Sequence, residues 1–267
     1  MNKYCKHKRS SIATFIDLSK AFDRVDHFIL GRKLLSCSIP VDIILLLIHY
    51  LRDQRANIMW KNSYSNYCFI EKGVRQGGIL SPFLFNFYIN SIINDISNTN
   101  VGCCLGDTRS NILANADDIV LLAENTTQMK TLYGKLVKDI EEHVLKINES
   151  KTKCVIFGHR NKELTESIEL NGDKLQVVNA FKYLGHNICF NFKDTDDIAF
   201  RLRNCYASFN TVFRDFKSVD RNTILFLFKS FSLPDYGLPL WNHCSSFNSS
   251  IFKSFEIAFS KACFEKN

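Results

Sequence analysis

Apolar and polar positions repeat with two different periods along this chain. Residues 11–18 form a short apolar run that ends in a carboxylate, Asp17, and predict a buried strand. Residues 28–35 repeat at helical spacing up to the Pro40 break, and a second helix is predicted over 42–53. Residues 56–60 and 64–70 read as a hairpin turning at Asn62-Ser63. Ser81-Pro82 supplies an N-cap followed by proline at the first helical position, with apolar residues running from Phe83 to Ile96. Residues 112–114 and 119–123 flank Asn115-Ala116-Asp117-Asp118, the pattern of two strands joined by a tight polar turn.

Asn125 with Gln128 three residues later is a capping-box-like start. Met129, Leu132, Tyr133, Leu136, Val137, Ile140 and Val144 then repeat at three and four, predicting an amphipathic helix packed on the sheet. Residues 154–157 read as a strand, and 168–170 with 174–178 as a hairpin around Asn171-Gly172, a dipeptide suited to the positive φ of a type I′ turn. A further strand is expected over 181–184. From Asp196 the pattern becomes helical, with Ala199, Leu202, Tyr206, Phe209, Phe213 and Phe216 on one stripe and a second helix over 224–231. The expected class is α+β, with residues 1–192 as one domain and 193–267 as a helical second region.

The bulk numbers narrow the function classes. With 267 residues, 46% hydrophobic content, 23 Phe and only 4 Pro, the chain can bury a sizeable core. A net charge of +7 suits a polyanionic partner, and from Arg201 onward nine Lys/Arg face five Asp/Glu. Ten scattered cysteines contain no Cys-x-x-Cys pair, which argues against a disulfide scaffold or a zinc site. Cys37, Cys154 and Cys189, set among apolar neighbours, are expected as buried free thiols. The longest pure aliphatic run, 43–48, is far shorter than a membrane span, so an intracellular protein of nucleus or cytoplasm, with no membrane partner, is expected. Lys6-His7-Lys8-Arg9 is a candidate nuclear signal.

Three carboxylates stand out chemically: Asp17 at a strand end and the Asp117-Asp118 pair in a hairpin turn. Acidic side chains that converge are costly to hold together unless a cation neutralises them, so such a cluster implies hard divalent ions. Magnesium is the natural candidate, as two ions (Mg2+, with Mn2+ as a substitute) that support in-line attack on a nucleoside triphosphate.

The residues around these acids carry a resemblance. Residues 15–27, FIDLSKAFDRVDH, closely resemble the first catalytic motif of non-LTR (LINE-like) retrotransposon reverse transcriptases. Residues 73–86, GVRQGGILSPFLFN, resemble the second, and Ala116-Asp117-Asp118 the third. Lys151-Thr152-Lys153 resembles the fourth motif, and Phe181-Lys182-Tyr183-Leu184-Gly185 the primer-gripping fifth. Residues 233–241 resemble a segment seen late in the thumb.

The resemblance implies a polymerase palm, an antiparallel sheet with helices packed on one face, followed by a small helical thumb. It implies an RNA-directed DNA polymerase with RNA template, DNA primer and dNTPs as partners. Asp17, Asp117 and Asp118 would be the metal-binding catalytic acids, and Lys151 or Lys153 a proton donor to pyrophosphate. Phe22 would be the aromatic gate against a ribose 2′-hydroxyl. Arg75 would offer charge to phosphate, Gln76 a hydrogen bond to nucleotide or template, and Gly77 with Gly78 a close backbone approach. Lys182, Tyr183 and Gly185 would contact the primer.

Two departures from the family pattern shape the expectation. Asn115 stands where the family places Tyr or Phe, removing a ring from beside the acids. Only 16 residues precede Asp17, so the fingers that normally come first, and the endonuclease typical of the family, are expected to be missing. A truncated or decayed copy with weak or no polymerase activity in isolation is therefore expected. The alternative is a non-catalytic nucleic-acid-binding remnant.

Overall fold

The computed structural model describes residues 10–105, 108–158 and 167–216, with scattered positions between 219 and 230. The basic cluster at 6–9, the segment at 233–241 and much of the helix expected over 224–231 lie outside the described residues.

The first strand, β1 (Ser11–Asp17), is buried along almost its whole length because it sits inside the main sheet. A 3-10 turn (Phe22–Arg24) follows, then α1 (His27–Leu35) and α2 (Val41–Arg52). Asp26 caps α1 by accepting hydrogen bonds from the Phe28 and Ile29 N–H groups at 2.9 and 3.1 Å. The hairpin that comes next is made of two short ladders. β3 (Met59–Trp60) pairs with β4 (Ser63–Tyr64), and β2 (Arg55–Ala56) pairs with β5 (Cys68–Phe69). Because Trp60 lies opposite Ser63, the turn is Lys61-Asn62, one residue earlier than Asn62-Ser63. Lys61 takes the required positive φ of 53°.

Helix α3 (Ser81–Ser97) begins one residue earlier than its capping pattern suggests. Leu80 holds the cap position, and the Ser81 hydroxyl donates back to the Arg75 carbonyl at 2.5 Å instead of capping the helix. After β6 (Cys103–Leu105) and β7 (Thr108–Ser110) come β8 (Ile112–Asn115) and β9 (Asp118–Ala123), joined by the two-residue turn Ala116-Asp117. Helix α4 (Thr126–Glu142) starts at Asn125, whose side chain accepts from the Gln128 N–H at 2.9 Å. Gln128 reciprocates one residue upstream of the cap, accepting from the Glu124 N–H.

Three strands follow: β10 (Lys153–Phe157), β11 (Ser167–Leu170) and β12 (Asp173–Val177). The last two are linked by Asn171-Gly172, both at positive φ, as the dipeptide requires. The six-stranded order is β11-β12-β10-β1-β9-β8, antiparallel throughout except for the parallel pair β10 and β12.

Side chains alternate across a strand, so β1 divides its residues between two sheet faces. Ile12 and Ile16, with Ile119, Leu121, Ala123, Cys154 and Ile156 of the neighbouring strands, join one core with Leu84, Tyr88 and Ile92 of α3 and Met129, Leu132 and Leu136 of α4. Asp17 lies on the opposite face, in line with Ala13 and Phe15, because an odd number of steps separates it from Ile12 and Ile16. The two helices therefore cover one face, and the end of the other carries the acid.

Where α1, α3 and α4 meet, a polar cluster interrupts the core. The Lys33 ammonium donates to the Tyr88 carbonyl and to Ser91 Oγ, and Ser91 Oγ lies 3.2 Å from His143 Nε2. Burial lowers the Lys33 pKa to about 8 against a smaller opposing pull from Asp95. The folded chain therefore binds fewer protons than the unfolded chain between pH 8 and 10.5, and Lys33 makes stability rise with pH in that window. Lys33→Met should flatten this rise by on the order of 1 kcal/mol after allowance for partial solvation. Urea midpoints of both proteins from pH 7 to 10 check it.

Contacts divide the chain into two compact units, Met1–Asn179 and Ala180–Asn267. The second contains the hairpin β13 (Ala180–Tyr183) and β14 (His186–Cys189) with α5 (Thr195–Asp215). Buried Asp197 ties α5 to this hairpin by accepting from the Asn187 N–H at 3.0 Å, with His186 Nδ1 3.2 Å away. The buried positions of α5 are Ile198, Cys205 and Phe209. Of the stripe read from the sequence, Phe209 is buried while Ala199, Tyr206, Phe213 and Phe216 are exposed. The inward face is displaced because Asp197 and Ile198 turn toward the hairpin. Among the cysteines, Cys154 and Cys189 are buried as free thiols, whereas Cys37 follows α1 in an exposed turn.

Candidate active site

Asp17 and Asp118 are direct register partners across β1 and β9, so their side chains leave the same face at neighbouring positions. Asp117 precedes Asp118 in the turn, where Ala116 adopts a φ of 54°, a left-handed conformation that costs a residue with a Cβ about 1 kcal/mol. The acids feel one another. Partial desolvation at the strand end, followed by the negative charges of Asp117 and Asp17, holds the Asp118 carboxyl above its ordinary range, although the residue as a whole is exposed.

The segment after α4 fixes the end of β1. The Ser19 N–H donates to the Lys146 carbonyl and the Asn148 N–H to the Asp17 carbonyl, both at 2.8 Å. The Thr152 hydroxyl bridges the loop, accepting from the Asp17 N–H and donating to the Asn148 carbonyl. This clasp brings Lys151 Nζ to 3.7 Å from Asp17 Oδ2. Lys153, the other lysine of the motif, lies on β10 opposite Phe15 and does not line the cavity described next.

A cavity of about 550 Å³ opens here, lined by Asp17 and Asp117, by Phe22 and Gln76, and by the cations Lys20, Arg24, Lys146 and Lys151. The Phe22 ring is stacked on Phe85 of α3, with centroids 4.7 Å apart and planes at 21°, and also faces the cavity. Packing and cavity lining are thus both true of Phe22. Gln76 Nε2 donates to Asp23 Oδ1 at 3.4 Å. The Gln76 segment is docked by backbone bonds: the Gly73 N–H donates to the Val25 carbonyl and the Val74 N–H to the Phe22 carbonyl, each at 2.8 Å.

Arg75 and Gly77 are exposed and are not among the cavity-lining residues. A Cβ on Gly77 would meet nothing within 4 Å, so its glycine serves a φ of 78°. At Gly78 a Cβ would approach Ser81 Oγ to 2.7 Å, so that glycine serves the tight turn into α3. Lys182, Tyr183 and Gly185 belong to the second unit, in and after β13.

Lys20, Arg24, Lys146 and Asn148 were not legible as site residues. Lys20 and Arg24 stand inside the first motif, where neither residue type nor spacing marks them as lining a cavity. Lys146 and Asn148 follow a helix, with nothing in the sequence to say that the loop folds back on Asp17. Arg24 has a distinguishing feature in the structure, because its buried Nε has no hydrogen-bond partner among the described residues.

As a test of metal fit, no group of three or more His, Cys, Asp or Glu side chains among the described residues already surrounds a common point. The donor chemistry nevertheless suits a hard cation: three carboxylates share one turn and strand end, and the Asp118 carboxyl is raised first by desolvation and then by the charges of Asp117 and Asp17, a repulsion that a divalent ion would relieve.

An antiparallel sheet with helices on one face and acids at the end of its central strands is the architecture of a polymerase palm. The chain belongs to the reverse transcriptase (RNA-dependent DNA polymerase) family, whose profile matches residues 1–188. It is 31% identical over 202 residues to a probable RNA-directed DNA polymerase from transposon BS of Drosophila melanogaster, covering 73% of this chain and 22% of that one. It is 25% identical over 199 residues to a Pol polyprotein from retrotransposable element R2 of Popillia japonica, covering 70% of this chain and 28% of the relative. The chain thus spans about a quarter of the length of these relatives. In fold it resembles apo telomerase from Candida tropicalis, with a TM-score of 0.53 at 14% identity, over 85% of this chain and 40% of that one.

Proposed function

We propose that this chain carries RNA-directed DNA polymerase chemistry, moving a nucleotidyl group from a dNTP to the 3′-hydroxyl of a DNA primer on an RNA template. The observation that carries the reading is the register pairing of Asp17 with Asp118 beside a cation-lined cavity of a size suited to a nucleotide. Asp17, Asp117 and Asp118 would hold two Mg2+ ions, which supply charge neutralisation for the attacking and leaving oxygens.

The protein's own groups divide the remaining work. Lys20, Arg24 and Lys146 present positive charge to the triphosphate. Lys151 supplies a proton to the departing pyrophosphate. Phe22, held by its stack on Phe85, excludes the 2′-hydroxyl of a ribonucleotide. Gln76 orients nucleotide or template, Arg75 and Gly77 contact the nucleic-acid strands as they pass the exposed loop, and Lys182, Tyr183 and Gly185 grip the primer. The helical region from 193 onward serves as a thumb.

Extension of a primed RNA template by the purified chain, with and without Mg2+, is the test. Extension that does not depend on Mg2+, or no extension together with no Mg2+-dependent dNTP binding, would refute the reading. Phe22→Ala is expected to raise ribonucleotide incorporation relative to deoxyribonucleotide by roughly 10- to 100-fold, the range that loss of one discriminating contact spans. Competition between dATP and ATP in the same assay measures it, and unchanged sugar preference would remove Phe22 from that role.

A further inference from the structure

The hairpin between α2 and α3 lies outside the core. Every residue of 58–69 is exposed, and Ile58, Met59, Trp60, Tyr64, Tyr67 and Phe69 are each between 63% and 75% exposed. Two ladders of two residues each hold it together, and a ribbon of this size is marginal in water by itself. Apolar surface at this density marks an interaction site.

Its chemistry selects among partners. Residues 54–70 contain no Asp or Glu, while Arg55 and Lys61 supply positive charge and Gln54, Asn57, Asn62 and Asn66 supply amides. The Arg55 guanidinium lies over the Phe69 ring at 5.0 Å from its centroid. At the base of the hairpin a cleft of about 570 Å³ is lined by Phe28, Phe69, Arg32 and Arg52, together with the acids Asp26 and Glu71. The register puts Tyr64 beside Met59 on one face of the ribbon and Trp60 beside Ser63 on the other. A flat protein partner would bury the rings of one face only, whereas an unpaired strand can follow the ribbon around its edge. Rings open on both faces, cations and a ribbon without carboxylates are what unpaired bases and their phosphates require, the acids Asp26 and Glu71 being confined to the cleft below.

We propose that hairpin 54–70 is a platform for single-stranded nucleic acid, bases stacking on Trp60, Tyr64 and Tyr67. The proposal deepens the polymerase reading, on which it rests only for naming RNA as the strand. The full chain is titrated against a fluorescein-labelled, unstructured 20-nucleotide RNA in EDTA and followed by anisotropy. Trp60→Ala and Tyr64→Ala should each weaken binding about 5- to 100-fold, the loss of one stacked base. Trp60→Phe should restore most of the affinity, and Arg55→Ala with Lys61→Ala should flatten the salt dependence. These residues are exposed, so circular dichroism should be unchanged in every variant.

Wild-type affinity in both aromatic variants would overturn the platform. So would a result in which their sole effect is to disperse a self-associated form in sedimentation, which would make the hairpin a protein-docking face. The two readings fail separately. If Trp60 governs RNA binding but Asp17→Asn leaves extension intact, the assignment of that chemistry to the Asp17 site falls and the platform stands. If Asp17→Asn stops extension while Trp60→Ala binds normally, the platform alone falls.

Discussion

Asp17→Asn is expected to lower primer extension by about a thousandfold or more while making the folded chain slightly more stable. Asp17 stands directly opposite Asp118, and like charges at such a position oppose folding by a few tenths to about 1 kcal/mol. The ion pair between Asp17 and Lys151 offsets little of this, since both groups are well solvated. Under the proposed function Asp17 stands there because the chemistry needs its charge, and loss of a carboxylate from the proposed two-ion site would remove several kcal/mol of transition-state stabilisation. A second readout separates charge from catalysis. Millimolar Mg2+ should raise the thermal midpoint of the wild type by relieving the repulsion and should have a much smaller effect on the variant. A variant that extends primers at the wild-type rate, or that responds to Mg2+ as the wild type does, would refute the role assigned to Asp17.

Gly73→Ala is the substitution expected to cost the fold most near the site. Gly73 has a φ of 93°, and a Cβ there would stand 2.8 Å from Asp23 Cα and 2.9 Å from the Asp23 carbonyl oxygen, both rigid backbone atoms. The same residue donates to the Val25 carbonyl, and its own carbonyl lies 2.7 Å from His27 Nε2. The two motif loops are locked at this point, and separating them moves Phe22 and Gln76 together. A loss of about 2–4 kcal/mol follows from combined backbone strain and overpacking. Gly77→Ala, with a similar φ but open space around it, should cost only about 1 kcal/mol. Urea unfolding of the two variants side by side checks the contrast, and equal losses would show that steric crowding at Asp23 is not the cause.

Much of this arrangement was legible in the residues, and what was not has identifiable causes. The apolar run ending at Asp17 and the turn at Asp117-Asp118 give the strands and the acids, because strand period and turn chemistry are local. Their pairing in register is a long-range fact that spacing cannot supply. The same limit hid Lys146 and Asn148, which reach the site only because the loop after α4 folds back on β1. Capping gave the starts of α3 and α4 to within one residue, but the apolar stripe read to Val144 overran α4, which ends at Glu142, and Val144 is exposed at a φ of 57°. At Ser81 a tertiary bond to Arg75 overrides the local preference, since a hydroxyl engaged there is lost to the cap. The inward stripe of α5 was misread for a related reason: a buried carboxylate, Asp197, sets that helix's rotation, and hydrophobic periodicity does not see it.

The order of the six strands has a dynamic consequence for the acids. β9 is bonded on both sides, to β1 and to β8, whereas β8 is the outermost strand and is held among the described strands by β9 alone. Amide hydrogens of β1 and β9 should therefore exchange with deuterium only on global opening, while those of β8 pointing away from β9 exchange early. Asp17 and Asp118 are anchored to the slow part of this gradient. Asp117 lies in the two-residue turn between β8 and β9, outside the ladders that hold the other two.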